Sequence, residues 1–250
     1  MAQFLSDGIA IAYDVHGEGR PILLIHGFGS TGKVNWVDTG WVQTLNEAGY
    51  QAITIDNRGH GASRKLYDTR LYLARDMAKD ALNLLDHLGI ERAPVMGYSM
   101  GARITAFLAL HHPDRVTCAI LGGMGGNLMS GLEDSEEIIS ALTAESLDQV
   151  KSKIGRMFRI FADHNNADRA ALAACMVTSR QPMAAEDVAR ITVPVLVAVG
   201  ETDEMAGPPD DLTRLLPNGE GFIIPRRDHM RATGDAAYKQ ATLAFLEKHR

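Results

Sequence analysis

Short apolar runs recur along the chain at Pro21–Ile25, Gln51–Ile55, Ala93–Met96, Val116–Leu121, Val193–Val199 and Gly221–Ile224, each bounded by Gly, Pro, Asn or Asp. Their near-continuous apolar character belongs to strands covered on both faces rather than to strands with one wet face. Helical patterns lie between several of them. Leu73, Met77, Ala81, Leu84, Leu85 and Leu88 recur at helical steps along one face, and Gly89 supplies a stop. Alternating strand and helix predicts an α/β fold, a mostly parallel sheet flanked by helices on both sides.

The alternation breaks after Gly122-Gly123-Met124-Gly125-Gly126. Residues 127–190 carry only helical patterns, including a stripe of Leu147, Val150, Ile154, Met157, Phe158 and Phe161 with Lys151, Lys153 and Arg159 off it. Strand character returns at Val193. The economical arrangement is a core of residues 1–126 and 191–250 interrupted by a helical cap over 127–190. Met157, Phe158 and Phe161 are then candidates for the wall of a substrate pocket beneath that cap.

The chain has 25 Lys and Arg against 31 Asp and Glu, a formal charge of −6, and no basic block. That argues against nucleic acid or an anionic membrane as partner. No apolar run approaches the ~18 residues of a membrane helix, and the N-terminus lacks the pattern of a secretion signal, so a soluble cytoplasmic protein is expected. Cys118 and Cys175 sit in apolar surroundings with no Cys-x-x-Cys spacing, so both read as buried hydrophobes rather than as a disulfide or a zinc site.

Three motifs compete for the chemistry. Gly27-Phe28-Gly29-Ser30-Thr31-Gly32 matches the dinucleotide fingerprint, with Asp56 ending the next apolar run, but no clean helix is expected to start at Gly32. The same stretch read as Gly27-x4-Gly32-Lys33 is nearly a phosphate loop, yet Val34 stands where a hydroxyl must hold Mg²⁺. The third motif, Gly97-Tyr98-Ser99-Met100-Gly101, follows the run Ala93–Met96 and precedes a helical stretch from Met100 to about His111. Strand, sharp turn and helix is the context in which Gly-x-Ser-x-Gly lifts a serine hydroxyl clear of a sheet. A hydroxyl nucleophile needs a base, and the base an orienting carboxylate. Asp203 follows the run ending at Val199, and His229 the run ending at Ile224, so both lie at the carboxyl ends of strands, where open parallel sheets bind ligands.

On these residues the chain resembles the α/β-hydrolase family along nearly its whole length. His26-Gly27-Phe28-Gly29 looks like that family's oxyanion loop, and Asp56-Asn57-Arg58-Gly59-His60-Gly61-Ala62-Ser63 is similar to its Asp-x-Arg-Gly-x-Gly-x-Ser turn. The resemblance implies an acyl-transferring hydrolase with a helical cap, Ser99 as nucleophile, His229 as base and Asp203 as its partner. It also implies an oxyanion hole formed by the backbone amides of Phe28 and Met100. His26 and His60 then read as structural residues of their turns. The expected partner is a small-molecule ester; no metal or organic cofactor is implied, since there is no His-Glu-x-x-His. Lactonase, carbon–carbon bond hydrolase, perhydrolase and a catalytically silent binding protein remain open on the same scaffold. Among nearby carboxylates, Asp228 adjoins His229 in sequence and points away from it, while Asp210 and Asp211 are expected to cap a helix after Pro208-Pro209.

Overall fold

The computed structural model describes residues 1–130 and 134–250. Residues 131–133, within the expected helical insertion, lie outside the described residues. Eight strands form one sheet: β1 Ala2–Ser6, β2 Ile9–His16, β3 Arg20–Ile25, β4 Tyr50–Asp56, β5 Ala93–Tyr98, β6 Val116–Gly122, β7 Val195–Gly200 and β8 Gly219–Ile224. Their order is β1-β2-β4-β3-β5-β6-β7-β8. β1, β2 and β4 pair antiparallel, and every pairing from β4 through β3 to β8 is parallel. The six apolar runs are β3 to β8. β7 begins two residues into its run because Pro194 has no N–H to give a neighbouring strand.

The hairpin β1–β2 is an addition to the sequence-based expectation. Its signal is Asp7-Gly8, with φ of 48° and 82°, the left-handed pair that a two-residue hairpin turn requires. Burial alternates along β1, since one face of this edge hairpin meets water.

Helices α1 Trp41–Glu47 and α11 Ala236–Lys248 cover one face of the sheet, burying Trp36, Trp41, Tyr238 and Phe245. Helices α2 Ala74–His87 and α3 Met100–His111 cover the other. The α2 stripe predicted from Leu73 to Leu88 buries Met77, Ala81, Leu84 and Leu85, and Gly89 ends it at φ 67°. Both cysteines are free and buried, and burial pushes the Cys175 thiol up to about 12. No helix among the described residues is long and apolar enough to cross a membrane.

Between β6 and β7 the described residues form only helices and turns: α4 Asn127–Ser130, α5 Ser135–Thr143, α6 Lys153–His164, α7 Arg169–Thr178 and α8 Ala185–Val188. The stripe expected over Leu147–Phe161 is not one helix. Leu147 lies in a separate single turn, Val150 is extended, and Ser152 caps α6 by accepting the Gly155 N–H. Arg159 also departs from its expected outward position. It is buried, with Nη1 donating to the Ala141 and Ala144 carbonyls and Nε to Asp163 at 2.8 Å. A guanidinium can satisfy orphan carbonyls at the end of α5, which a hydrophobic stripe cannot reveal.

After β7, Asp210 and Asp211 begin the short helix α9 Asp210–Thr213 but make no capping bond, because Pro209 takes the N-cap position. The last short helix, α10 His229–Ala232, is capped by Asp228.

Candidate active site

The carboxyl ends of β3, β5, β7 and β8 lie on one edge of the sheet; residues after β3, β5 and β8 line a single cavity, and the loop after β7 meets the last of these from behind. The sharpest local feature is at the end of β5. Ser99 has φ 54° and ψ −113°, a conformation a non-glycine residue holds only when its surroundings impose it. The imposition is visible on both sides. A Cβ on Gly97 would run into the Gly101 carbonyl, and one on Gly101 into the Ile25 carbonyl of β3. The two glycines therefore let α3 leave the strand at once and pack its first turn on β3. Ser99 N–H donates to Gly122 O at 2.8 Å, tying the turn to β6.

β7 and β8 run in register with Gly200 opposite Ile224, so the loops that follow them leave the sheet side by side. Asp203 and His229 meet there, with His229 Nδ1 donating to Asp203 Oδ2 at 2.8 Å. The Asp203 side chain is fully enclosed, and its Oδ1 accepts the Met205 and Ala206 N–H groups at 2.9 and 3.0 Å. Asp228 turns the other way, its Oδ1 taking the Met230 and Arg231 N–H groups. Tyr98 OH donates to the main-chain carbonyl of His229 at 2.5 Å. No hydrogen bond joins Ser99 Oγ to the His229 ring, but both residues line the same cavity.

That cavity has a volume of about 210 Å³. Phe28, Met157, Phe158 and Phe161 form much of its apolar wall. Met100 is fully buried and does not line it with its side chain. The Phe28 and Met100 N–H groups have no acceptor among the described residues, Met100 because it opens α3 and Phe28 because its loop turns away from the sheet. The loop is held from below and above. Below, Gly27 N–H donates to Asn35 Oδ1 at 3.0 Å; above, Asn165 at the end of α6 donates to Gly29 O at 3.1 Å, and Phe158 meets the Phe28 ring edge-on at 5.7 Å.

His26 and His60 lie behind this loop. His26 Nδ1 donates to Gly27 O and its Nε2 accepts the Asn57 N–H, which sets one neutral tautomer. Burial pushes His26 down to about 4, and burial with the neighbouring His26 pushes His60 down to about 3. Both are therefore structural groups. An unfolded histidine takes up its proton near the ordinary value of about 6.5, so below that pH the unfolded chain binds more protons than the folded one. Stability should be fully present above about pH 6.5 and fall on acidification toward the folded values. Urea midpoints at pH 7.5 and 5 should show this fall, and His60→Gln should flatten it; an equal slope in the variant would remove His60 from the account.

The dinucleotide reading of the glycine loop is corrected in one respect. A five-residue helical turn, Lys33–Val37, does start directly after Gly32. Asp56 nevertheless cannot serve a ribose. Its two oxygens are taken by Gly32 N–H at 2.7 Å and Ala62 N–H at 2.8 Å, and it is buried beneath the loop.

Asn35, Thr39, Tyr98, Met230 and Thr233 also line the cavity and were not singled out from sequence. Tyr98 lay inside the elbow motif, where its role had no local signature. The others come from elements with no motif at all.

The family model for the alpha/beta hydrolase fold matches residues 20–150. A Mycobacterium tuberculosis protein provisionally named non-heme bromoperoxidase BpoC is 28% identical over 253 residues, covering 89% of this chain and 91% of its own. A hydrolase from Pseudomonas aeruginosa superposes with a TM-score of 0.82 at 23% identity, covering 98% of this chain and 97% of its own. The enol-lactonase of Burkholderia xenovorans LB400 gives 0.80 at 22% identity, with 98% and 100% covered. With more than half of its length matched by the family model, this chain belongs to the alpha/beta hydrolase family.

Proposed function

We propose that the protein hydrolyses small carboxylic esters or related acyl compounds through an acyl-enzyme on Ser99. Ser99 Oγ attacks the carbonyl carbon while its proton passes to His229 Nε2, and Asp203 steadies the imidazolium that forms. The Phe28 and Met100 N–H groups receive the developing oxyanion, at the helix start where a negative charge is favoured. Collapse of the tetrahedral species expels the alcohol, which takes the proton from His229. Water, giving its proton to His229, then attacks the acyl carbon, and Ser99 leaves as the hydroxyl.

The observation that carries this reading is the 2.8 Å contact between His229 Nδ1 and Asp203 Oδ2. It directs the ring's other nitrogen, with its lone pair, to the proton-accepting role in the cavity that also holds Ser99. A fluorophosphonate should label the protein on Ser99 alone, with loss of p-nitrophenyl ester turnover in step with labelling; labelling of another serine would overturn the assignment. The bromoperoxidase name of a relative favours one variant of the same chemistry, in which hydrogen peroxide replaces water and the acyl-enzyme yields a peracid. Bromide oxidation in acetate and peroxide, measured beside the ester assay, separates the two acceptors.

Phe158 and Phe161 would govern which acyl groups enter. Phe158→Ala or Phe161→Ala should shift the chain-length preference or KM toward longer esters while changing kcat for an acetate ester little. An equal loss across all chain lengths would instead assign these rings to holding α6 on the glycine loop.

A further inference from the structure

Two cavities adjoin at the carboxyl edge of the sheet. The smaller, about 210 Å³, is the one that Ser99, Phe28, Phe158 and Phe161 line. The larger, about 710 Å³, opens between the start of α6 and the loops after β7 and β8, and its lining includes Ile154 and Met205. Met157, His229 and Met230 line both, so the two spaces meet across these three residues. Ser99 and Phe28 line the smaller space and not the larger.

That division matches the two halves of an ester. An acyl carbon bonded to Ser99 Oγ, with its oxyanion at the Phe28 N–H, lies in the smaller space, where Phe158 and Phe161 meet the chain it carries. The volume there equals roughly seven water molecules of liquid, which suits an acyl group of only a few heavy atoms. The leaving oxygen takes its proton from His229 Nε2, the nitrogen turned away from Asp203. The group on that oxygen therefore starts beside His229, the residue through which the smaller space joins the larger. The larger cavity offers more than three times the volume. Ile154, Met157 and Met205 there are half-buried and Met230 is 43% exposed, an apolar surface left open to water beside the base. Three flexible thioethers adapt to apolar guests of different outline rather than to one fixed shape. The other lining side chains are polar or charged.

We propose that the larger cavity holds the alcohol half of the substrate, so that the enzyme takes esters of small acids with bulky apolar alcohols over esters of bulky acids with small alcohols. This rests on the reading of Ser99 as the acyl acceptor.

The test uses isomers in which the ester is reversed: 2-phenylethyl acetate against methyl 3-phenylpropanoate, and octyl acetate against methyl nonanoate. For each pair the kcat/KM ratio is divided by the ratio of hydroxide-catalysed rates in buffer, which removes intrinsic reactivity. Wild type should favour the acetate of each pair by about tenfold or more on this scale. Ratios near unity, or in favour of the methyl esters, overturn the proposal. Two variants then locate the preference. Ile154→Asp places a charge in the larger cavity, in the first turn of α6 where a carboxylate suits the helix, and Met205→Gln replaces a thioether by an amide of similar length. Each should lower the kcat/KM ratio of octyl acetate to ethyl acetate several-fold; a ratio unchanged in both overturns the assignment of the alcohol to this cavity. If neither variant folds, the wild-type ratios decide alone. Fluorophosphonate labelling of Ser99 with flat or reversed ratios sinks only this inference, whereas absence of labelling and of turnover for every ester sinks the acyl-enzyme reading itself.

Discussion

Replacing Ser99 by Ala is expected to lower turnover of an activated ester by about 10⁶, the scale seen when a triad nucleophile is removed. The fold should not notice. Ser99 Oγ makes no hydrogen bond among the described residues, and alanine keeps the Cβ, so the strain at φ 54° is unchanged. Stability should stay within about 0.5 kcal/mol of wild type. The measurement is single-turnover and steady-state hydrolysis beside a urea titration. Residual turnover within tenfold of wild type would show that another group attacks the carbonyl. A large loss of stability would show that the hydroxyl holds the turn, and the kinetic loss would then carry no mechanistic weight.

Asp203→Asn is the second large effect, about 10⁴ in kcat, and here the structure supplies the reason in detail. Oδ1 of Asp203 takes two backbone N–H groups and Oδ2 faces His229 Nδ1. An asparagine in this place must keep its oxygen toward the two amides, so its NH₂ turns to the ring. His229 Nδ1 must then accept, its proton moves to Nε2, and no lone pair remains to take the serine proton. Asp228→Asn should cost little by comparison, since asparagine is an equally good N-cap for α10. Asp210→Asn and Asp211→Asn should also leave kcat near wild type, as the His229 ring bonds to Asp203 and to neither of them. A near-normal rate for Asp203→Asn, with collapse in one of the other three, would move the acid to that residue.

The sheet and its carboxyl edge were legible because the relevant physics is local. Six apolar runs needed covering on both faces, and each became a parallel strand within two residues of its expected ends. The elbow was legible for the same reason: Gly97 and Gly101 can be nothing larger where α3 turns onto β3. The N-terminal hairpin lies outside those six runs, although the Asp7-Gly8 turn and the apolar residues 9–13 after it both signal a strand there.

The residues that only folding could reveal share a different property: their partners are distant in sequence and set by register. Arg159 was placed outward from its charge, yet it meets carbonyls at the end of α5. Asn35 carries no motif, yet its Oδ1 accepts the Gly27 N–H and anchors the glycine loop. Asp203 could be preferred over Asp210, Asp211 and Asp228 by its position after a buried strand, but the 2.8 Å contact itself depends on Gly200 lying opposite Ile224 in the sheet. Sequence by itself determined the strands, the strained turn and the order of the polar groups, since period, glycine and chain direction are properties of neighbouring residues. Tertiary structure alone decided which polar atoms meet and which stay unmet, because a hydrogen bond closes over a few ångströms and only packing brings remote side chains within that distance.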